Sequence, residues 1–256
     1  MLASHSRNER PTIMSKHLGR REFLEQVAAV GAAATAVPAT PAAQSPAQPP
    51  QGAGAAHPPA SGTTSAGYTF FTAPEAAFVE AVVDVFVPAD ELTPSGTDLG
   101  IAVFIDRQLA GAWGKGDRLY MQGPWRQGPP GLGYQLPLTP AEFVRAGIAA
   151  VNRHCKKAYG GEFDRLAGPE KQQVLEGLDQ AKIALDAGVS AKQFFDIVYQ
   201  ASMEGMFSDP IYGGNRDKAA WKMVGYPGVV AVYATHIVNY RDKKYVVDPV
   251  SIGDLL

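Results

Sequence analysis

The chain has 256 residues, 46% of them hydrophobic and 19% charged, and its 23 basic and 25 acidic side chains leave a formal charge of −2. That balance excludes the broad basic surface of a nucleic-acid binder. The single cysteine, Cys155, excludes an internal disulfide, a Cys-ligated iron-sulfur cluster and a Cys-x-x-Cys-His haem site.

Near the N-terminus Arg20 and Arg21 lead through Glu22 into Phe23 and Leu24, then into an apolar stretch from Val27 to Val37. This reads as a twin-arginine export signal. An ordinary secretory leader that happens to contain Arg-Arg ranks second. Phe23 and Leu24 occupy the slots expected after the pair, and the apolar stretch is short and diluted by Gly31 and Thr35. Residues 1–43 are therefore set aside as a leader, with cleavage after Ala36 or Ala43. From 44 to 67 the chain is almost wholly Ala, Pro, Gly, Gln, Ser and Thr. It offers too little apolar surface to offset its ordering entropy, and is expected to be a disordered linker. Residues 68–256 are of a size for one domain and carry 18 basic and 22 acidic side chains. No stretch after the leader approaches the ~20 continuous apolar residues that span a bilayer, so membrane attachment is expected only through other subunits.

Within the domain, Thr72-Ala73-Pro74-Glu75 has the form of a capping box and predicts a helix start. Phe78, Val82, Val85 and Phe86 recur at helical spacing and predict its buried stripe, with Pro88 ending it. Ile101, Phe104, Ile105 and Leu109 mark a second helix that stops at Gly111. Gly114 to Pro137 holds six Gly and four Pro with Tyr120, Trp125 and Tyr134, and keeps no steady period. Loops of that length in a compact domain are functional or held by a partner, and the aromatics suggest the partner. Thr139 to Glu142 repeats the capping box and opens a long helix to about Tyr159, closed by Gly160-Gly161. A shorter helix is expected from Pro169 to Gln180, and Ser190 to Gln193 is a third capping box. Only Val229–Tyr233 and Tyr245–Val250 look capable of being strands. The fold class is therefore mainly α, an irregular helical domain with long loops rich in Gly, Pro and aromatics.

Candidates for catalysis are sparse. His57, His154 and His236 have no metal-ligand spacing to another His, Cys or acid pair. Asp84, Asp90 and Glu91 cluster at the end of the first helix, where a solvated face and a loop cap are the favoured explanation. Gly131-Leu132-Gly133 is not followed by the strand-turn-helix of a dinucleotide fold, and Gly213-Gly214-Asn215 lacks a phosphate-loop lysine. Cys155 is most simply a small residue near the core. The twin-arginine route carries folded passengers, often holding a cofactor. A chain with no evident cofactor site is therefore expected to travel with a partner that has one.

The most distinctive segment runs from Gly205 to Gly228. It contains Phe207, Asp209, Pro210, Tyr212, Gly213, Gly214 and Asn215, followed by Trp221, Tyr226 and Pro227. Its turn formers permit unusual backbone angles and close chain approach. Its aromatics suit either a protein interface or an intramolecular tuck beneath their own rings, and the residues alone leave the two equal. The segment resembles the third, small subunit of bacterial gluconate 2-dehydrogenase and its relatives in three-subunit fructose and glucose dehydrogenases. Phe71 to Glu75 and Val87 to Asp90 resemble that family's opening.

The resemblance implies a non-catalytic periplasmic subunit that aids folding, export and stability of an FAD-containing large subunit of the glucose-methanol-choline group. It implies a second partner, a multihaem cytochrome c subunit that passes electrons to the membrane. FAD and haem c would then reside in the partners, with none in this chain, and the ten residues named from Phe207 to Pro227 would form the partner interface. Two rivals stand beside it: an autonomous enzyme whose polar groups gather around Asp209, Asn215 and His236, and a transient export chaperone.

Overall fold

Glu75 reaches back to the start of its helix in the way the capping pattern requires: its Oε2 accepts from the Thr72 backbone N–H at 2.8 Å and from the Thr72 hydroxyl at 2.9 Å. The computed structural model describes residues 67–126, 128–129, 132–186, 188–229 and 233–256. The expected export signal, with Arg20, Arg21, Phe23 and Leu24, and the linker up to residue 66 lie outside the described residues.

Among the described residues seven α-helices follow in order: α1 (Ala73–Phe86), α2 (Ile101–Ala110), α3 (Pro140–Tyr159), α4 (Gly168–Asp179), α5 (Ala191–Phe207), α6 (Ala219–Val224) and α7 (Ala234–Asn239). The first four match the expected helices to within a residue or two, and α5 starts at the expected capping box and runs on to Phe207. Thr139 caps α3 with the full reciprocal box, and Gly160 ends it in the left-handed conformation. Ser190 makes only half of its box, accepting from the Gln193 N–H at 3.4 Å. Among the described residues no helix is long and apolar enough to cross a membrane.

Helix α1 lies at the centre, touching α2, α3, α4, α5 and the 3-10 turn Phe163–Arg165. Phe78, Val79, Val82 and Val83 are buried, and the Phe78 ring sits 5.0 Å from Phe163 and 6.3 Å from Phe194. Each such side chain contributes roughly 1.5–3 kcal/mol by leaving water. The expected stripe is displaced: Val85 and Phe86 are only half-buried, and Phe86 instead packs edge-on against Phe195 and Tyr199. A single-stripe expectation assumes one covered face, whereas α1 is covered on several sides. Cys155 is buried in the same core, where desolvation pushes its thiol up to about 11.

The expected strands at Val229–Tyr233 and Tyr245–Val250 do not form among the described residues. One isolated parallel bridge joins Gly228 to Val250, with Val229 N donating to Val250 O at 2.7 Å and Val250 N to Pro227 O at 3.1 Å. The pairing does not extend because residues 234–239 turn into α7 and Tyr245 packs its ring on His236 and Tyr240. Apolar β-branched runs without a second ladder partner stay irregular.

Two side chains pin the start of the domain. Buried Asp106 on α2 accepts four hydrogen bonds, from Thr69 N and Oγ1 at 2.7 Å, Phe70 N at 2.9 Å and Phe71 N at 2.8 Å. Arg145 on α3 donates to Glu75 Oε1 and to Phe70 O, each at 2.8 Å, and lies over the Phe70 ring. Burial alone would raise the Glu75 carboxyl. The hydrogen bonds from Thr72 and Arg145 outweigh it and hold the group below the usual carboxylate range. Asp84 and Asp90 act as loop caps, Asp84 accepting from Thr97 N and Asp90 from Leu92 N and Thr93 N.

Replacing Asp106 with alanine strands three backbone donors and is expected to cost roughly 2–4 kcal/mol. Urea unfolding of the full chain should show a lower midpoint at unchanged slope. An unchanged midpoint would mean that the carboxylate contributes no net stability.

Candidate partner-binding surface

Helix α5 ends at Phe207, and the next twenty residues double back over its C-terminal end and over the start of α2. Close approach makes this possible. A Cβ on Gly100, which has φ +78°, would stand 2.3 Å from Gly213 O, and one on Gly214 would stand 2.1 Å from Gly205 O. Those glycines admit the neighbouring backbone. Arg216 N then donates to Leu99 O at 3.0 Å and fixes the segment to the entry of α2.

Asn215 is the hub. It is 0% exposed and adopts a left-handed conformation with φ 48°. Its Nδ2 donates to Ser208 O at 3.0 Å and its Oδ1 accepts from Ala220 N at 2.9 Å, so one carboxamide ties the end of α5 to the start of α6. Asp217 and Lys218 also have positive φ, 57° each. Left-handed conformations cost non-glycine residues about 1–2 kcal/mol, and they persist where surrounding contacts over-determine them, commonly at ligand clamps and switch regions. Here the restraints are the Asn215 carboxamide and the Lys218–Asp254 ion pair at 2.7 Å.

The C-terminal segment closes over the same region. Asp209 Oδ1 accepts from Ile211 N at 3.0 Å, capping the 3-10 turn Pro210–Tyr212, and its Oδ2 accepts from Ile252 N at 2.8 Å. The Lys218 ammonium and the Ser251 N–H pull the Asp254 carboxyl down to about 2.

Trp221 is 4% exposed, donates from Nε1 to Phe207 O at 2.8 Å and meets the Tyr226 ring edge-to-face at 5.1 Å. The residues expected at an interface thus fall into three groups. Asp209, Gly214, Asn215 and Trp221 are buried. Phe207, Pro210, Gly213 and Pro227 are half-buried, and Tyr212 and Tyr226 are exposed at 51% and 45%. Ile211 and Val224, which the sequence reading did not include, join the exposed set. The structure makes the segment both tuck and surface: buried members hold it in place and exposed members face outward from it.

Two members of the rival catalytic grouping are engaged by the backbone. Both Asp209 oxygens and both ends of Asn215 are taken by backbone partners. His236 packs among Tyr233, Tyr240 and Tyr245. Among the described residues no group of three or more His, Cys, Asp or Glu is placed to hold a metal ion. A cleft of about 280 Å³ between α1 and α3 is lined by Glu75, Arg145, Arg153, Lys156 and Glu162. Its cations are already paired, Arg145 with Glu75, Arg153 with Asp186 and Lys156 with Glu162.

No curated protein and no solved structure matched the chain. The family model described as gluconate 2-dehydrogenase subunit 3 matches residues 73–228, which begin at the first residue of α1 and end at the bridge beyond Tyr226. With more than half of its length matched, the chain belongs to the gluconate 2-dehydrogenase subunit 3 family and is a subunit of a dehydrogenase complex.

Proposed function

We propose that this chain is a non-catalytic small subunit of a periplasmic sugar or alcohol dehydrogenase. It assists the folding and stability of an FAD-containing large subunit of the glucose-methanol-choline group and carries that subunit through the twin-arginine pore. One observation supports the reading above others: the family match takes in the segment 205–228, where buried Asn215 and Trp221 hold Tyr212 and Tyr226 at the surface. Aromatics on a rigid, already ordered backbone lose little entropy on binding, which is how interface anchors gain affinity. FAD resides in the large subunit in this reading, and a cytochrome c subunit carries its electrons to the membrane. The Gly213-Gly214 turn is taken up by chain packing against α2 and α5.

Purification of the tagged chain from its native host should bring down a larger polypeptide with a flavin spectrum. A colourless single chain, in cells that make the flavoprotein, would remove the permanent-subunit reading. Changing Arg20 and Arg21 to lysine should leave both this chain and the flavoprotein in the cytoplasm; normal export of the flavoprotein would sink the carrier role. Tyr226→Ala should weaken assembly by about 2 kcal/mol or more while leaving the isolated chain's stability nearly intact. Trp221→Ala should instead lower that stability by roughly 3–5 kcal/mol in denaturant unfolding. Equal stability losses for the two variants would make Tyr226 an internal prop.

A further inference from the structure

Charge is divided unevenly along the domain. Residues 68–209 carry twelve basic and eighteen acidic side chains, whereas residues 210–256 carry Arg216, Lys218, Lys222, Arg241, Lys243 and Lys244 against Asp217, Asp242, Asp248 and Asp254, with Lys218 and Asp254 paired. A sign asymmetry of this size marks a surface for an anionic partner.

Its apolar counterpart lies at the C-terminal end of the same stretch. Tyr245 packs 5.3 Å from His236 and 4.7 Å from Tyr240 between ring centroids, so the chain that follows the basic turn 241–244 is held against α7. Around that aromatic seam Ile237, Val238 and Val246 stand 65%, 70% and 71% exposed, and Arg241, Lys243 and Lys244 are exposed between them in sequence. Three aliphatic side chains this open lie within ten residues of one another in sequence, beside the aromatic seam.

We propose that α7, the basic turn and residues 245–247 form a contact for an anionic phospholipid surface. Ile237, Val238 and Val246 enter the boundary between headgroups and acyl chains, and Arg241, Lys243 and Lys244 pair with lipid phosphates. The composition favours lipid over protein. Lysine is depleted at the cores of protein interfaces, whereas lysine and arginine beside exposed aliphatics characterise segments lying in a membrane surface. Tyrosines at the polar–apolar boundary, here Tyr233 and Tyr240, belong to the same pattern. A six-residue helix rises only about 9 Å, so the element lies on the bilayer and does not cross it. It follows residue 228 and uses neither Tyr212 nor Tyr226, so the inference stands or falls separately from the function proposed above.

The test places a polarity-sensitive dye on Val246→Cys in the full chain, where buried Cys155 does not compete for label. Leu92→Cys, on the loop after α1, serves as an exposed control. The dye reports only its own surroundings, so vesicle binding through the basic N-terminal segment does not mimic the result. Phosphatidylcholine vesicles containing phosphatidylglycerol should blue-shift the Val246→Cys probe and expose it to lipid-borne quencher. Pure phosphatidylcholine should not, and the Leu92→Cys probe should stay unchanged. Adding Lys243→Glu and Lys244→Glu should weaken the vesicle affinity read by the probe at least about tenfold. A silent Val246→Cys probe, or an equal response to neutral vesicles, overturns the proposal. Silence toward vesicles with burial of the probe in the purified complex would assign the face to a protein partner instead.

Discussion

A helix that is apolar around most of its circumference has to be enclosed, and α1 makes that demand on the rest of the domain. Phe78, Val79, Val82 and Val83 point in directions that no single neighbour can cover. Helices α2 to α5 and the Phe163 turn therefore pack around them from different sides. The polar devices of the domain serve this arrangement. Asp106 and Arg145 bind the backbone just before α1, and Asp84 binds the loop just after it, so both ends of the central helix are held by side chains on the surrounding structure or by its own. Interiors packed this closely do not tolerate a shifted helix.

What could be read in the sequence follows the range of the interaction that causes it. Capping boxes and terminal glycines act within three or four residues, and the starts at Thr72 and Thr139 and the stop at Gly160 were legible for that reason. The buried face of α1 was legible only in part. Phe78 and Val82 belong to it, but Val79 and Val83 are buried as well because other helices pack on α1 from more than one side, which no local period encodes. Among the described residues the expected strands do not form, for the same reason. Val229 and Val250 have β propensity, but a ladder needs continuous partners, and the tyrosines after α7 found His236 first.

The segment from Gly205 to Gly228 shows how one motif can carry two requirements. Its glycines and Asn215 were visible as residues that permit unusual backbone, and the structure uses them to bring three elements within van der Waals distance. The sequence could not say which aromatic would be buried, because the position of Trp221 is decided by a hydrogen bond to Phe207 O, on a helix that ends fourteen residues earlier. The C-terminal closure left a faint local signal, Ser251 followed three residues later by Asp254, which has the form of a capping box. Its link to Asp209 spans 43 residues and had no local trace.

The Asp106 carboxylate also acts as a single point of attachment for the start of the domain. The described chain enters the domain at Thr69, Phe70 and Phe71, where four hydrogen bonds converge on one side chain. Three consecutive residues are thus held by a single carboxylate, so loss of that one group would release the whole entry to the domain at once. Asp106 stands on the helix whose entry abuts the Gly213 turn, so one side chain links the way into the domain with the element against which the Tyr212 segment is laid.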